Sequence, residues 1–182
     1  MGFQIEDGEG GGFKAGVTKE KQLKTTAVIQ SEIEHESEEN ALSFNWSSDI
    51  QSVDANDTVL LVKNTSDTPL HIEYVDIDNG STESEYTVHM PTTEVTPTGG
   101  TLITGTNINN GAGTANVADA VARADETNNA QGNVIATRWL AINRGKRIYT
   151  PGVILGKNKS IAVDVVETVT ETAVSIVGHY AD

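Results

Sequence analysis

The sequence predicts an all-β protein: a single β-sandwich of jelly-roll type, preceded by an extended glycine-rich N-terminal arm. Composition is the first reason. Apolar residues make up 37% and aromatics 5% of the 182 residues, whereas Thr, Val, Asn and Gly are abundant. That balance suits thin sheets with polar turns better than a thick helical core. Alternation is the second reason, because eight or more short runs carry strand patterns, with turn signals roughly every ten residues. The third is the opening segment, where Gly2, Gly8, Gly10, Gly11, Gly12 and Gly16 separate the isolated apolar residues Phe3, Ile5, Phe13, Val17 and Leu23. Single apolar side chains scattered on a glycine-rich backbone cannot form a core of their own.

Residues 1–30 therefore read as an arm that becomes ordered along another surface, with Phe3, Ile5, Phe13, Val17 and Leu23 as its anchors. Residues 31–182 read as the sandwich domain. Its first stretch places Glu32, Glu34, Glu36, Glu38 and Glu39 around His35, a solvated loop or exposed edge. Ala41–Trp46 then alternates, with Leu42, Phe44 and Trp46 on one face. Thr58–Asn64 contains Val59, Leu60, Leu61 and Val62 in succession, a buried strand closed by the turn Asn64-Thr65-Ser66-Asp67. Leu70, Ile72 and Tyr74 alternate towards Asp78-Asn79-Gly80-Ser81. The Asn79-Gly80 pair suits a two-residue hairpin turn, with Tyr86, Val88 and Met90 on the return strand and Pro91 as its stop.

Residues 91–132 read as a long irregular loop, rich in Gly and Asn and broken only by Thr101–Thr104. Asn116–Ala124 fits a short helix with Asn116 as N-cap. A loop of this length is usually functional or faces a partner. Strand character returns at Asn133–Asn143, at Val153-Ile154-Leu155, at Ile161, Val163 and Val165, and at Val174 and Ile176. Trp46 and Trp139 both lie in strand patterns and are expected in the core.

Charge excludes some functions. Residues 1–90 hold 18 acidic and 5 basic side chains, a net of −13, and residues 91–182 hold 8 and 7, a net of −1. The acidic half repels a nucleic-acid backbone, so no direct nucleic-acid binding is expected. The absence of cysteine removes disulfides, thiolate nucleophiles and cysteine-ligated zinc. His35, His71, His89 and His179 share no metal-binding spacing. Asp76, Asp78, Gly80, Glu83 and Glu85 lack both the glycine offset and the twelfth-position acid of a calcium loop. Gly8–Gly12 lacks the Gly-Lys-Ser/Thr ending of a phosphate loop. No catalytic residue, metal or cofactor is expected. The sequence shows neither a signal peptide nor an apolar run long enough for a membrane helix, so synthesis in the cytoplasm and no membrane partner are expected.

Arg138, Arg144, Lys146 and Arg147 are the one concentrated basic feature. Asn143–Arg147 reads as a hairpin or loop tip, and Arg144, Lys146 and Arg147 are either simply exposed there or form a candidate docking patch for an acidic surface such as a neighbour's acidic half.

The opening Gln4-Ile5-Glu6-Asp7-Gly8-Glu9-Gly10, followed by Lys14-Ala15-Gly16-Val17, Leu23 and Thr25-Thr26-Ala27-Val28, resembles the start of small virion structural proteins of tailed bacteriophages. The resemblance extends through Glu34-His35-Glu36, Asn45-Trp46, Val59–Asn64, Thr106-Asn107-Ile108-Asn109 and the closing Leu155-Gly156 with Ser160-Ile161-Ala162-Val163. It implies a β-sandwich subunit of a head, neck or tail, often multimeric, with an extended arm and no catalytic residues. The expected function is a capsid decoration or auxiliary subunit, or a neck- or tail-associated one, located in the virion. Its partners would be capsid, neck or tail subunits and further copies of itself as a homo-oligomer. The alternative is a carbohydrate-binding or adhesion module. A glycan-degrading enzyme is the weakest option, since few aromatics are present to line a sugar cleft.

Overall fold

The computed structural model describes residues 16–17, 23–24, 42–108, 117–127 and 132–181. The chain divides into an N-terminal unit, residues 1–31, and a domain, residues 32–182. In the N-terminal unit β1 (Gly16–Val17) and β2 (Leu23–Lys24) pair antiparallel, with Val17 opposite Leu23. Phe3, Ile5, Phe13 and the glutamate run lie outside the described residues.

Among the described residues of the domain every regular element is a strand. In chain order these begin with β3 (Ser43–Ser47), β4 (Gln51–Val53), β5 (Thr58–Asn64), β6 (Leu70–Asn79), β7 (Ser84–Pro91) and β8 (Thr101–Ile103). They continue with β9 (Thr106–Asn107), β10 (Ala120–Glu126), β11 (Gly132–Leu140), β12 (Arg144–Leu155), β13 (Ser160–Val165) and β14 (Val169–Tyr180). One sheet has the order β12-β6-β14-β3-β9, with β4 also on β14; the other has the order β11-β7-β13-β5-β10-β8. All pairings are antiparallel. The sheets enclose one main core, to which Phe44, Trp46, Ile77 and Ile176 contribute from the first and Leu60, Tyr86, Val88 and Val163 from the second. Phe44 meets Trp46 at a ring separation of 6.0 Å and Tyr180 edge-on at 5.8 Å. Alternation in β3 placed Phe44 and Trp46 correctly.

The chain changes sheet between β5 and β6, between β6 and β7, between β11 and β12, and at each later connection. Such corners bury backbone groups that no ladder satisfies. Two asparagines repair this. Asn64 donates its amide to Thr68 O at 3.0 Å and Leu155 O at 2.8 Å, and its Oδ1 accepts Ser66 N–H at 2.9 Å. Asn79 donates to Thr82 O at 2.7 Å and Leu140 O at 3.1 Å. Each therefore bonds its own corner to the neighbouring one. A further link crosses the core, where Tyr86 OH donates to Thr172 Oγ1 at 3.0 Å and Thr172 donates to Asp78 O at 2.9 Å.

The Asn79-Gly80 hairpin expected from sequence does not form: β6 and β7 lie in opposite sheets, and neither residue adopts positive φ. The turn signal is real, but the buried amide of Asn79 serves a corner. The helix expected over Asn116–Ala124 is also absent, and Ala120–Glu126 is β10, in register with β5. Ala122 and Ala124 are buried against that neighbour, so tertiary pairing overrides their helix preference. Within 91–132, β8, β9 and β10 are regular.

All seven residues of β5 are buried, although an antiparallel sheet ordinarily leaves one face wet. The segment after β7 explains this. Val95 packs on Leu61 and Ala162 on the outer face, while Lys63 Nζ donates to Glu94 Oε1 at 2.8 Å and Val95 O at 2.9 Å. The far end of this strap is held by Glu126, which accepts Gly99 N–H at 3.0 Å, and by Arg123, which donates to Gly99 O at 2.8 Å.

Replacing Asn64 or Asn79 by Ala strands buried carbonyls and should cost about 1–3 kcal/mol for each group left unpaired. Asn79→Asp should rescue nothing, since a carboxylate cannot donate; urea denaturation at neutral pH measures all of these. Asp57 provides a pH-dependent test. Partial burial, then the nearby charges of Asp125, Asp54 and Asp164, raise its carboxyl above the usual 3.8. A raised carboxyl favours folding at low pH and opposes it once ionised. Asp57→Asn should therefore raise Tm at pH 7, and the gain should vanish as pH falls through the raised native value; an equal gain at every pH would contradict this.

Candidate assembly surface

β11 ends one sheet and β12 ends the other, and residues 141–143 join them directly, so both run along one side of the sandwich. Asn143 makes the tight step with φ 57°, in the left-handed region where asparagine is tolerated. β12 begins at Arg144, so Arg144, Lys146 and Arg147 are strand residues and not the loop tip expected from sequence. The glycine of this segment has a packing task in the strand. Gly145 stands opposite Asp78, and a Cβ there would collide with the Asp78 carboxylate.

Arg144 and Lys146 are exposed. Arg147 is also exposed but already engaged, because its guanidinium meets Asp76 through two bonds of 2.7 and 2.6 Å. It also lies 4.1 Å from the centre of the Tyr74 ring, and Tyr149 meets Tyr74 edge-on at 6.2 Å. Hydrogen bonding to Asp76, then to Tyr149, holds the guanidinium above its already high range. The structure thus divides the predicted patch: Arg144 and Lys146 present their charge outward, whereas Arg147 is committed to its own sheet. Arg138 on β11 donates to Thr137 O at 2.7 Å and is exposed.

Apolar side chains accompany these cations. Val134 and Trp139 on β11, Ile142 in the turn, and Tyr149 and Ile154 on β12 are each at least half exposed. Trp139 was expected in the core. It is 56% exposed, and its Nε1 donates to Glu83 at 2.5 Å. Its alternating neighbours are those of a core strand, but β11 is an edge strand with Trp139 on the outer face. A cleft of about 480 Å³ lies at the start of β12, lined by Ile50, Asp78, Asn79, Arg144, Gly145 and Glu171. It carries charges of both signs.

Two histidine clusters lie elsewhere in the domain. His89 Nε2 donates to Asp164 Oδ2 at 2.6 Å, and Thr58 Oγ1 donates to the other oxygen at 2.7 Å. A hydroxyl nucleophile needs imidazole beside it, whereas here the carboxylate stands between the two and His89 is wholly buried. On the opposite sheet His71 stacks on His179 at 5.1 Å, with Glu73 3.1 Å from His179 Nδ1. Sequence spacing gave no hint of that pair, since only cross-strand register brings the two together.

Of the predicted arm anchors, only Val17 and Leu23 fall within the described residues, and they are paired in register between β1 and β2. No protein-family model, curated protein or solved structure matches this chain.

The Arg147–Asp76 interaction lends itself to a double-mutant cycle. Each alanine variant should lose only a little stability, as exposed pairs do, and the double variant little more than either. Additive losses in urea denaturation would show that the two side chains act independently.

Proposed function

We propose that this chain is a structural subunit of a tailed-bacteriophage virion, a jelly-roll domain that attaches through its N-terminal arm and multimerises through its exposed strand edges. Strand order carries this reading. With β4 and the inserted β8, β9 and β10 set aside, eight strands remain, ordered 6-3-8-1 in one sheet and 5-4-7-2 in the other. That order is the one a jelly roll of two Greek keys requires, an architecture used by capsid and lectin domains. The likeness of the arm and several strand segments to small virion proteins supports the same reading. So does the outward placement of apolar and basic side chains along β11 and β12.

In this reading Phe3, Ile5, Phe13, Val17 and Leu23 anchor the arm on capsid, neck or tail subunits, where main-chain pairing and apolar contacts supply affinity. The chain is made in the host cytoplasm and ends in the particle. Many identical copies turn weak single contacts into durable attachment. One observation favours a second reading, a carbohydrate-binding module: Tyr149 is 70% exposed beside Tyr74 and the planar Arg147–Asp76 pair, a surface on which a sugar ring can stack. Glycan-array binding abolished by Tyr149→Ala would favour that alternative.

Mass spectrometry of density-purified particles from the source host, quantified against the major capsid protein, tests the virion assignment. The chain is expected in stoichiometric amount. A variant lacking residues 1–26 should fold and yet fail to enter particles; incorporation at wild-type occupancy would sink the role given to the arm.

A further inference from the structure

The cleft at the start of β12 and the Tyr149 surface lie on the same face of one sheet. On β6 the core takes Val75 and Ile77, so Tyr74, Asp76 and Asp78 point outward. The core likewise takes Ile148 on β12 and Val174 and Ile176 on β14, which turns Arg147, Tyr149, Ala173 and Ser175 to the same outer face. Cross-strand register sets these residues in successive rows. Gly145, Asp78 and Ala173 make the first, Arg147, Asp76 and Ser175 the second, and Tyr149 stands beside Tyr74 in the third. The cleft opens at the first row, and its volume of about 480 Å³ falls within the roughly 300–1,000 Å³ of small-molecule sites.

Its polar groups are uncommitted. Asp78, Glu171 and Arg144 line it and are exposed, and none of the three makes a side-chain hydrogen bond or ion pair among the described residues. Ile50, 78% exposed, adds an apolar wall. An anion in this cleft meets two carboxylates, and a cation meets the guanidinium. An apolar ligand would take all three charged groups out of water without a partner. Neighbouring hydroxyls suit every one of them, because a hydroxyl donates to a carboxylate and accepts from a guanidinium. Four residues of β6 separate Asp78 from Tyr74, a distance of about 13 Å. The row between them is filled by the Arg147–Asp76 pair, whose charges cancel. At the far end the 70% exposed Tyr149 ring offers an aromatic face to the C–H face of a sugar.

From this arrangement we infer that the cleft and the Tyr149 surface form one extended site for a neutral oligosaccharide, with Asp78, Glu171 and Arg144 holding hydroxyls at one end and Tyr149 stacking a ring at the other. The span exceeds a single sugar ring, so a single sugar fills only one end. The inference deepens the second reading given above for Tyr149, on which it rests for the class of ligand. It is independent of the virion assignment, since a particle subunit is free to carry a glycan site on its outer face.

The test uses the full chain on an array of neutral glucose, mannose and N-acetylglucosamine sugars, as single units and as short oligomers, with oligogalacturonate as the anionic control. Calorimetry on the best neutral oligomer then compares wild type with Asp78→Ala, Arg144→Ala, Tyr149→Ala and, on the other sheet, Leu102→Ala. All four positions are exposed, and circular dichroism with thermal melts checks that the variants fold. A neutral oligomer is expected to bind more tightly than its single sugar. Asp78→Ala, Arg144→Ala and Tyr149→Ala should each weaken it roughly tenfold, and Leu102→Ala should leave it unchanged. Binding that Tyr149→Ala abolishes but both cleft variants leave intact would overturn the extended site and keep the stacking surface. No neutral sugar bound, or a preference for oligogalacturonate, would overturn both. Particle mass spectrometry reads the virion assignment separately, and neither result decides the other.

Discussion

The constraint on which the fold depends is that most of its connections cross from one sheet to the other. A hairpin passes its backbone bonds to the partner strand, but a crossing corner has no partner strand to receive them. Asn64 and Asn79 meet that need with amide groups that donate to two corners at once. Their bonds tie the ends of β5 and β6 to the ends of β12 and β11, so corners far apart in sequence become one hydrogen-bonded unit. The Tyr86–Thr172–Asp78 chain adds a link through the core. Without these bonds the sheets would still have apolar faces to bury, but their relative register would be poorly specified, since hydrophobic burial has no direction.

A second consequence concerns the face that a two-sheet protein normally leaves to water. The continuous apolar run of β5 would be a liability there, because Leu61 points away from the main core. The strap after β7 covers it, with Val95 on Leu61 and Ala162 and with Lys63 bound between Glu94 and the Val95 carbonyl. The buried amine is satisfied by a carboxylate and a carbonyl together, as a cation removed from water must be. The long segment between β7 and β11 therefore serves the fold as well as any partner: it seals one sheet, then extends both sheets through β10, β8 and β9.

Much of this was legible in the sequence, and the failures have a common cause. Alternation in β3 and the apolar run of β5 specify strands and faces locally, and both were read correctly. What a local pattern does not encode is which sheet a strand joins or where in that sheet it lies. Asn79-Gly80 has the chemistry of a hairpin turn, yet it connects opposite sheets. Trp139 has the neighbours of a core residue, yet its strand is an edge. Ala122 and Ala124 favour a helix in isolation and instead allow β10 to approach β5 closely. Arg144–Arg147 shows the same limit: the segment reads as a hairpin or loop tip, whereas it begins an edge strand in which Gly145 leaves room for the Asp78 carboxylate. The Arg147–Asp76 and His71–His179 pairs arise only from register, which no spacing reveals.

Where the domain has satisfied its own chemistry bears on where its function lies. The Thr58–Asp164–His89 chain is buried with its carboxylate between its partners, and Arg147 is consumed by Asp76 and Tyr74. Most large apolar side chains left exposed among the described residues lie along the strand edges, five on the β11–β12 side. Burying such a side chain fully contributes about 1.5–3 kcal/mol, and these are already partly covered, so roughly half of that remains to be gained. Association must also offset the freedom that each docking partner loses. A single contact of this kind is marginal. It becomes durable when a ring closes or when an arm fixes each copy to a common surface, because the later contacts form within an assembly already in place. Modest strand edges and the arm proposed for the front of the chain are thus mutually consistent in the proposed subunit, and neither would by itself hold a particle together.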